Sequence, residues 1–378
     1  MRVLAVSPVL RAVLLVLLLA GCAARGALAP LPPEAEGGTQ HTIFVGSTRA
    51  TDPRTGQLNS GRALEPTFGR YRVWVPPQRE SGEIGLPLRG RTPDPQEHFL
   101  TAGAAHFRGD GGFRRDLAAA LRSEPGEGEV VLYLHGFNST FAEGLYRTAQ
   151  LTNDLDIPGI PVLYSWPSLG SPLGYAYDRD SALFARNGLR QLLHEIEAAG
   201  AARIIVVAHS MGAQLFMEGL RDLAVADETS TIERIGGIIL LSPDIDVDVF
   251  RAQARRVGRL PQPFVIFTSQ RDRVLQISGQ LSRQSVRLGT IEDLAPLADL
   301  DVTVLETGAL SAGGLGHFSA AYSPALLQIL RRITDVDSGF VSDQRAGIDP
   351  VQGTVLTVQN ATRIILSPVT AIADEISR

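Results

Sequence analysis

The stretch that decides the fold covers residues 204–212 and reads IIVVAHSMG. Its four leading aliphatic residues predict a buried strand, and the apolar residues after it have the spacing of one helix face: Leu215, Phe216, Leu220 and Leu223. Ser210 is therefore predicted to lie in a tight strand-to-helix turn, where a nucleophilic hydroxyl projects from a strained backbone. The alternative is that Ser210 is the N-cap of an ordinary helix.

A turn of this kind requires small residues two positions before and after the serine, because strand and helix would otherwise collide. Ala208 and Gly212 satisfy the requirement, although the usual pattern has glycine at both positions. The first amides of the following helix point toward the serine, where they can stabilise developing negative charge. Residues 208–212 thus predict a site for nucleophilic catalysis.

The composition excludes several other function classes. The chain has 378 residues, of which 44 % are hydrophobic, so it can fill a sizeable core. Its net charge is −5 with acids and bases interspersed, which argues against a nucleic-acid partner. The sequence contains no phosphate-binding loop, no dinucleotide glycine fingerprint and no Cys or His cluster with metal spacing, so no cofactor and no metal are predicted.

Short aliphatic runs alternate with helical periods from residue 129 onward, and this predicts an α/β fold with a mostly parallel, doubly wound sheet. The runs are 130–134, 162–165, 204–207, 238–241, 264–268 and 302–305. Between the second and third runs, residues 182–196 have helical spacing and Gly200 is the expected stop. Runs at 41–46 and 71–75 predict an antiparallel N-terminal edge, and 324–333 predicts a closing helix.

A serine hydroxyl needs a base within hydrogen-bond reach and a carboxylate that orients this base. In doubly wound hydrolases these groups follow the chain order serine, acid, histidine. His317 is the only histidine after both candidate acids, Asp272 and Asp244, so it is the predicted base. We favour Asp272 as the acid and keep Asp244 as the alternative.

Each acid also has a purely structural interpretation. Arg271 and Arg273 flank Asp272, so the three could form a surface salt-bridge cluster. Asp244 could form a turn or cap the helix predicted after it, at 247–255.

An oxyanion hole needs one amide from the residue after the nucleophile and one from the loop after an earlier strand. Met211 is the predicted first donor. Phe137 is the predicted second donor, because Gly136 beside it allows a close backbone approach. His135 and Asn138 are expected to brace this loop without taking part in the chemistry.

Six separated motifs resemble the α/β-hydrolase superfamily, most similarly a bacterial group of uncharacterised esterase- or lipase-like hydrolases. They are HGFN at 135–138, YSWPS at 164–168, AHSMG at 208–212, SPDID at 242–246, SQRDRVL at 269–275 and GHFS at 316–319. The resemblance covers residues 41–334 and implies the α/β-hydrolase fold. It implies catalysis by Ser210, Asp272 and His317, with Phe137 and Met211 as the oxyanion hole.

The N-terminus is typical of a targeting segment. An aliphatic run at 12–20 is too short to span a bilayer comfortably, and LAGC at 19–22 resembles the lipobox of bacterial lipoproteins. That resemblance implies that Cys22, the only cysteine, becomes the N-terminus and carries acyl chains, palmitate among them. Ala23 at the next position favours the outer membrane, with the protein facing the periplasm. An ordinary cleaved signal peptide with an incidental cysteine is the alternative.

The predicted organisation is a lipoprotein signal peptide at 1–21, a flexible tether at 22–40, a hydrolase domain at 41–334 and a C-terminal extension at 335–378. We expect a serine hydrolase that cleaves small-molecule or lipid carboxylic esters through an acyl-enzyme and is tethered to the cell envelope. A non-catalytic envelope lipoprotein that uses the fold for binding is one alternative. A thioesterase or peptidase with the same three residues is another.

Overall fold

A computed structural model describes residues 26–87, 90–107, 111–123, 128–155, 158–281, 286–307, 353–358 and 361–366. Cys22, His317, the predicted closing helix and most of the C-terminal extension lie outside these described residues. Among the described residues, no helix is both long and apolar enough to cross a bilayer.

Eleven strands form one sheet. Their bounds are β1 Thr39–Thr51, β2 Leu58–Val75, β3 Leu100–Phe107, β4 Glu129–Leu134, β5 Ile160–Ser165, β6 Arg203–His209, β7 Ile235–Leu241, β8 Phe264–Thr268, β9 Val302–Glu306, β10 Gly353–Val358 and β11 Ala361–Leu366. The order across the sheet is β10-β11-β9-β8-β7-β6-β4-β5-β1-β2-β3. All neighbours from β11 to β1 pair in parallel, whereas β1–β2, β2–β3 and β10–β11 pair antiparallel. The predicted mostly parallel sheet with an antiparallel N-terminal edge is confirmed.

Seven helices connect the strands in the described part of the chain. They are α1 Gly112–Ser123, α2 Phe141–Leu155, α3 Tyr175–Ala198, α4 Met211–Val225, α5 Thr229–Glu233, α6 Val247–Val257 and α7 Arg273–Leu281. The helix predicted over 182–196 lies within α3. Gly200 follows it with φ of +90°, a backbone conformation that suits glycine.

The sheet is covered on both faces. Alternate side chains of β6 belong to two apolar clusters, because successive side chains of a strand point to opposite faces. Ile204, Val206 and Ala208 join residues of α1, α3, α4 and α6, whereas Ile205 and Val207 join residues of α2. This alternation explains why the buried strands are aliphatic along their whole length.

Two strands at the N-terminal edge differ from the sequence-based expectation. β2 starts at Leu58 and not at residue 71, and β3 was not predicted. The first half of β2 has no buried residue and mixes polar with apolar residues, and β3 consists largely of small residues, so neither has a hydrophobic period. β1 and β2 also pair beyond Ser47, the residue that pairs with the end of β5.

Both terminal segments contribute to this body. The segment predicted as a flexible tether packs on β3, where Leu31 donates to the Thr101 carbonyl at 2.9 Å and Thr101 donates to Ala29 at 2.8 Å. Gly38 lies against the Trp74 ring, where a Cβ would approach the indole to 2.4 Å. Free coil is therefore the wrong description from residue 26 onward. β10 and β11, from the predicted C-terminal extension, extend the same sheet beyond β9.

Candidate active site

Four of the predicted site residues lie on loops at one edge of the sheet. Parallel strands end on the same side, and ligands of open α/β sheets bind there. β6 lies between β4 and β7, and β8 lies beyond β7, so the loops that follow these four strands are neighbours. They carry Phe137, Ser210, Asp244 and Asp272 in that order along the chain.

Ser210 forms the turn between β6 and α4. Its backbone has φ of 53° and ψ of −121°, a left-handed φ that costs a non-glycine residue about 1–3 kcal/mol. Its amide donates to the Leu241 carbonyl at 2.9 Å, and its side chain makes no capping hydrogen bond to the helix. The hydroxyl is thus not used as an N-cap, so the alternative that Ser210 caps an ordinary helix is wrong.

Two glycines let the loop after β4 touch this turn. A Cβ on Gly212 would lie 2.3 Å from the His135 carbonyl oxygen, so no larger residue fits there. A Cβ on Gly136 would lie 2.9 Å from the Cβ of Ser210. Ala208 is fully buried in its strand. The departure from the two-glycine pattern is accommodated, because the Ala208 methyl group joins a buried apolar cluster.

The predicted oxyanion donors flank this contact. Met211 is the first residue of α4, where a helix amide has no intrahelical acceptor, and Phe137 follows Gly136 directly. In the described part of the chain neither amide donates to an acceptor. Both are therefore placed at the elbow with their hydrogen-bonding capacity unused by described residues.

The loop that carries Phe137 is fixed by Asp178, in the first turn of α3. The Asp178 carboxylate accepts the Asn138 amide at 3.0 Å, the Ser168 hydroxyl at 2.6 Å and the Leu169 amide at 2.7 Å. Asn138 has a left-handed φ of 58°, so the turn needs such support. Burial raises the pKa of Asp178, and these three donors oppose the rise.

Arg49, from β1, holds the same loop from the other side. Its guanidinium donates to the Ser139 carbonyl at 2.8 Å, the Ser168 carbonyl at 2.9 Å and the Ser165 hydroxyl at 2.9 Å. The side chain is buried, and burial lowers its pKa to about 10, so it stays charged near neutral pH. Arg49 thus links the loops after β4 and β5.

His135 is a buried brace, as expected. Its ring stacks on Trp166 with centroids 4.9 Å apart, and the Trp166 indole donates to the His135 carbonyl at 2.8 Å. Burial, and then the charge of Arg49, lower the pKa of His135 to about 3. The ring is neutral at neutral pH and does not supply a cation to the site.

Asp272 is fully buried in the loop after β8, while Arg271 and Arg273 on either side are exposed. This burial rules out the surface salt-bridge cluster. One carboxylate oxygen accepts the Leu275 amide at 3.0 Å and so caps α7. The carboxylate stands at the strand end where the predicted acid is needed.

Asp244 has a different environment from the one expected. It forms a buried ion pair with Arg287 at 3.2 Å and accepts the hydroxyls of Tyr175 at 3.0 Å and Ser278 at 2.7 Å. The cap of α6 is instead Asp246, which accepts the Asp248 amide at 3.0 Å. The alternative that Asp244 caps this helix is therefore wrong. Two hydroxyl donors and the Arg287 cation already engage its carboxylate.

Sequence reasoning missed Arg49, Asp178 and a third buried group, Glu306. Glu306 ends β9 and accepts the Thr268 hydroxyl at 3.0 Å beside the loop of Asp272. An acid at the end of the last aliphatic run was a visible signal for Glu306. Arg49 lies in an antiparallel strand and Asp178 at the start of a helix. Neither follows a parallel strand, so no sequence pattern places them near the site. His317 lies outside the described residues.

One family model matches the chain. A family model described as "Alpha/beta hydrolase of unknown function (DUF900)" matches residues 111–333, more than half of the chain. The match includes the loop after β4, the elbow and both acids. No curated protein sequence matches the chain.

Some solved structures are similar at low identity. Lipase B of Aspergillus fumigatus is 17 % identical with a TM-score of 0.37, and the match covers 56 % of this chain and 53 % of the lipase. A bacterial heroin esterase is 14 % identical with a TM-score of 0.35, covering 87 % of this chain and 92 % of the esterase. An esterase structure from a study of two Rhizomucor miehei esterases is 12 % identical with a TM-score of 0.31, and the match covers 88 % of this chain and 93 % of the esterase. The chain spans about half of the lipase, and likenesses this distant carry no argument about its activity.

Proposed function

The chain belongs to this alpha/beta hydrolase family and has its fold, and we propose that it is a serine hydrolase that cleaves carboxylic esters through an acyl-enzyme. The observation that carries the proposal is the backbone of Ser210. A serine with a left-handed φ, placed directly between a parallel strand and a helix with its hydroxyl unused as a cap, has the backbone geometry of a nucleophile elbow.

In the proposed mechanism the Ser210 hydroxyl attacks the ester carbonyl and forms a tetrahedral intermediate. His317 takes the hydroxyl proton and returns it to the leaving alcohol, and water then repeats the sequence to release the acid. Asp272 accepts the imidazole N–H and holds the tautomer that leaves the other ring nitrogen free to act as base.

The amides of Phe137 and Met211 would hold the oxyanion of the intermediate. The close approach of Gly136 to Ser210 supports this role, because it brings the loop amide to the nucleophile. Preorganised backbone donors of this kind stabilise charge that develops only in the transition state, and one donor is worth about 10²–10³ in turnover.

Of the two acids, the contacts favour Asp272. The carboxylate of Asp244 is tied up by Arg287, Tyr175 and Ser278, and a carboxylate in an ion pair is a weaker partner for an imidazolium. The Asp244 amide donates to the Ser210 carbonyl at 3.2 Å, so Asp244 supports the elbow through its backbone.

We further propose that the protein is tethered to the bacterial envelope by acyl chains on Cys22, in the outer membrane facing the periplasm. The support is the LAGC sequence at 19–22 after an aliphatic run. Labelled fatty acid should enter the wild-type protein and not Cys22→Ser.

A fluorophosphonate probe tests the catalytic proposal, since it reacts covalently with activated serines. We expect mass spectrometry to locate the label on the peptide that contains Ser210. Labelling of another serine would contradict the assignment. Absence of any label and of ester turnover would favour a non-catalytic lipoprotein that uses the fold for binding.

A further inference from the structure

The N-terminal segment meets the body beside the candidate active site. A Cβ on Gly26 would lie 2.9 Å from the hydroxyl of Thr140 and 3.0 Å from Glu143. Thr140 and Glu143 form a capping box at the start of α2, with the Thr140 amide donating to Glu143 at 2.8 Å and the Glu143 amide donating to Thr140 at 3.2 Å. Gly26 therefore sits against a rigid helix start.

This helix start is close to Ser210. Thr140 follows Gly136 by four residues, so their Cα atoms are at most about 14 Å apart. A Cβ on Gly136 would in turn lie 2.9 Å from the Cβ of Ser210. The N-terminal segment thus leaves the body at the edge that carries the nucleophile.

An apolar loop stands at the same place. A Cβ on Gly170 would lie 2.9 Å from the Thr140 methyl group, so the loop after β5 passes beside Thr140. Leu169 and Leu173 in this loop are 42 % and 95 % exposed. The loop ends at Tyr175, whose ring packs edge-to-face on Phe137 at 5.5 Å. The two exposed leucines therefore belong to a loop that contacts Thr140 near Gly170 and Phe137 at Tyr175.

The anchor leaves little freedom. Cys22 precedes Gly26 by four positions, so their Cα atoms are at most about 14 Å apart. A folded body of this size is roughly 50 Å across. Because the segment is much shorter than the body is wide, the side of the body opposite Gly26 cannot face the membrane.

We propose that the catalytic edge faces the membrane, with Leu169 and Leu173 inserted among the acyl chains, and that the substrate is an ester lipid held in the bilayer. The proposal rests on the proposed serine hydrolase and on acylation of Cys22. Inserted Leu169 and Leu173 side chains bury further apolar surface beside the acyl anchor and hold the protein in this orientation. An ester lipid would reach Ser210 without leaving the surface.

Fluorescence quenching tests the orientation without any catalysis. Full-length acylated Leu173→Trp protein is bound to phosphatidylcholine vesicles that contain brominated acyl chains, and Val225→Trp is the matched control. Val225 is 50 % exposed at the far end of α4, about 21 Å along the helix from the elbow. The native Trp74 and Trp166 are buried, and the quenching of their fluorescence in the unsubstituted protein is the background.

We expect strong quenching at position 173 and none above background at position 225. Equal quenching at the two positions, or stronger quenching at 225, would overturn the proposal. Failure of the acylated protein to bind the vesicles would overturn it as well. Ser210-dependent turnover of a soluble aryl ester needs no orientation, so a failed proposal here is distinguished from a failed catalytic assignment.

The substrate class is tested with a diacylglycerol in the same vesicles and p-nitrophenyl acetate in solution. Leu173→Ser should lower the ratio of the vesicle rate to the soluble rate about 10-fold, the effect of losing one buried leucine. Val225→Ser should leave this ratio unchanged. An unchanged ratio in Leu173→Ser, or no hydrolysis of the vesicle ester by an enzyme active in solution, would contradict the proposed substrate.

Discussion

The carboxylate of Asp178 accepts the backbone amide of Asn138 at 3.0 Å, across 40 residues of sequence. This contact fixes the turn that presents the Phe137 amide, although Asp178 does not touch Ser210 in any described contact. A buried carboxylate is costly unless its hydrogen bonds are complete, and here a hydroxyl and two amides complete them. Asp178 is accordingly a positioning residue for the oxyanion hole.

Asp178→Asn should lower kcat by about 10- to 1000-fold with little change in KM, because a displaced oxyanion donor weakens only the transition state. Binding of a trifluoromethyl ketone, which forms the tetrahedral adduct, should weaken by the same factor. Steady-state kinetics and inhibition constants measure both effects.

Asp154→Asn is the matched control. Asp154 also has a buried carboxylate. This carboxylate forms an ion pair with Arg79 and accepts the Gly82 amide at 2.7 Å. It lies at the other end of α2, about 20 Å along the helix from Phe141. If Asp154→Asn lowers kcat as much as Asp178→Asn does, the effect is general destabilisation and the positioning role is refuted.

Gly212→Ala should destabilise the protein by about 1–3 kcal/mol or more and abolish ester turnover, because its Cβ would lie 2.3 Å from the His135 carbonyl. Ala208→Gly, the change toward the usual pattern, should cost at most about 1 kcal/mol and keep activity. Urea unfolding and turnover of an aryl ester compare the two. Full activity in Gly212→Ala would show that the two loops are not in contact.

The neutral, buried His135 predicts acid sensitivity. Its pKa is lowered from 6.5 to about 3 on folding, so the unfolded chain binds a proton first as the pH falls. Stability from this group is complete above the unfolded pKa and is lost progressively below it, by about 2 kcal/mol on going from about pH 7.5 to about pH 5. Urea unfolding at both pH values should show this extra loss in wild type and not in His135→Gln. Equal losses in the two proteins would mean that His135 takes up a proton in the folded state.

The sequence predicted those parts of the fold that have a local pattern. Continuous aliphatic runs identified β4 to β9 because these strands are buried on both faces, and the small residues around Ser210 identified the elbow. The mixed first half of β2 and the small residues of β3 have no such pattern. Arg49 and Asp178 act through contacts distant in sequence, for example Arg49 with Ser139 across 90 residues, and no spacing rule reveals such pairs.

The two acids should respond differently to substitution by asparagine. Asp272→Asn should lower turnover by at least about 10³, because the amide permits the wrong imidazole tautomer. Asp244→Asn should keep turnover within about 10-fold but lose about 3 kcal/mol of stability, since it leaves Arg287 beside a neutral partner in a buried site. Kinetics and urea unfolding separate the two effects. Loss of turnover in Asp244→Asn alone, with both proteins folded by circular dichroism, would transfer the acid role to Asp244.

The most direct test of the central claim is turnover of a small aryl ester by Ser210→Ala. The account predicts a fall of about 10⁴–10⁶ relative to wild type, with an unchanged circular dichroism spectrum. Ser123→Ala, an exposed serine at the end of α1, is the matched control and should retain wild-type turnover. Undiminished turnover by purified Ser210→Ala would contradict the assignment of Ser210 as the nucleophile.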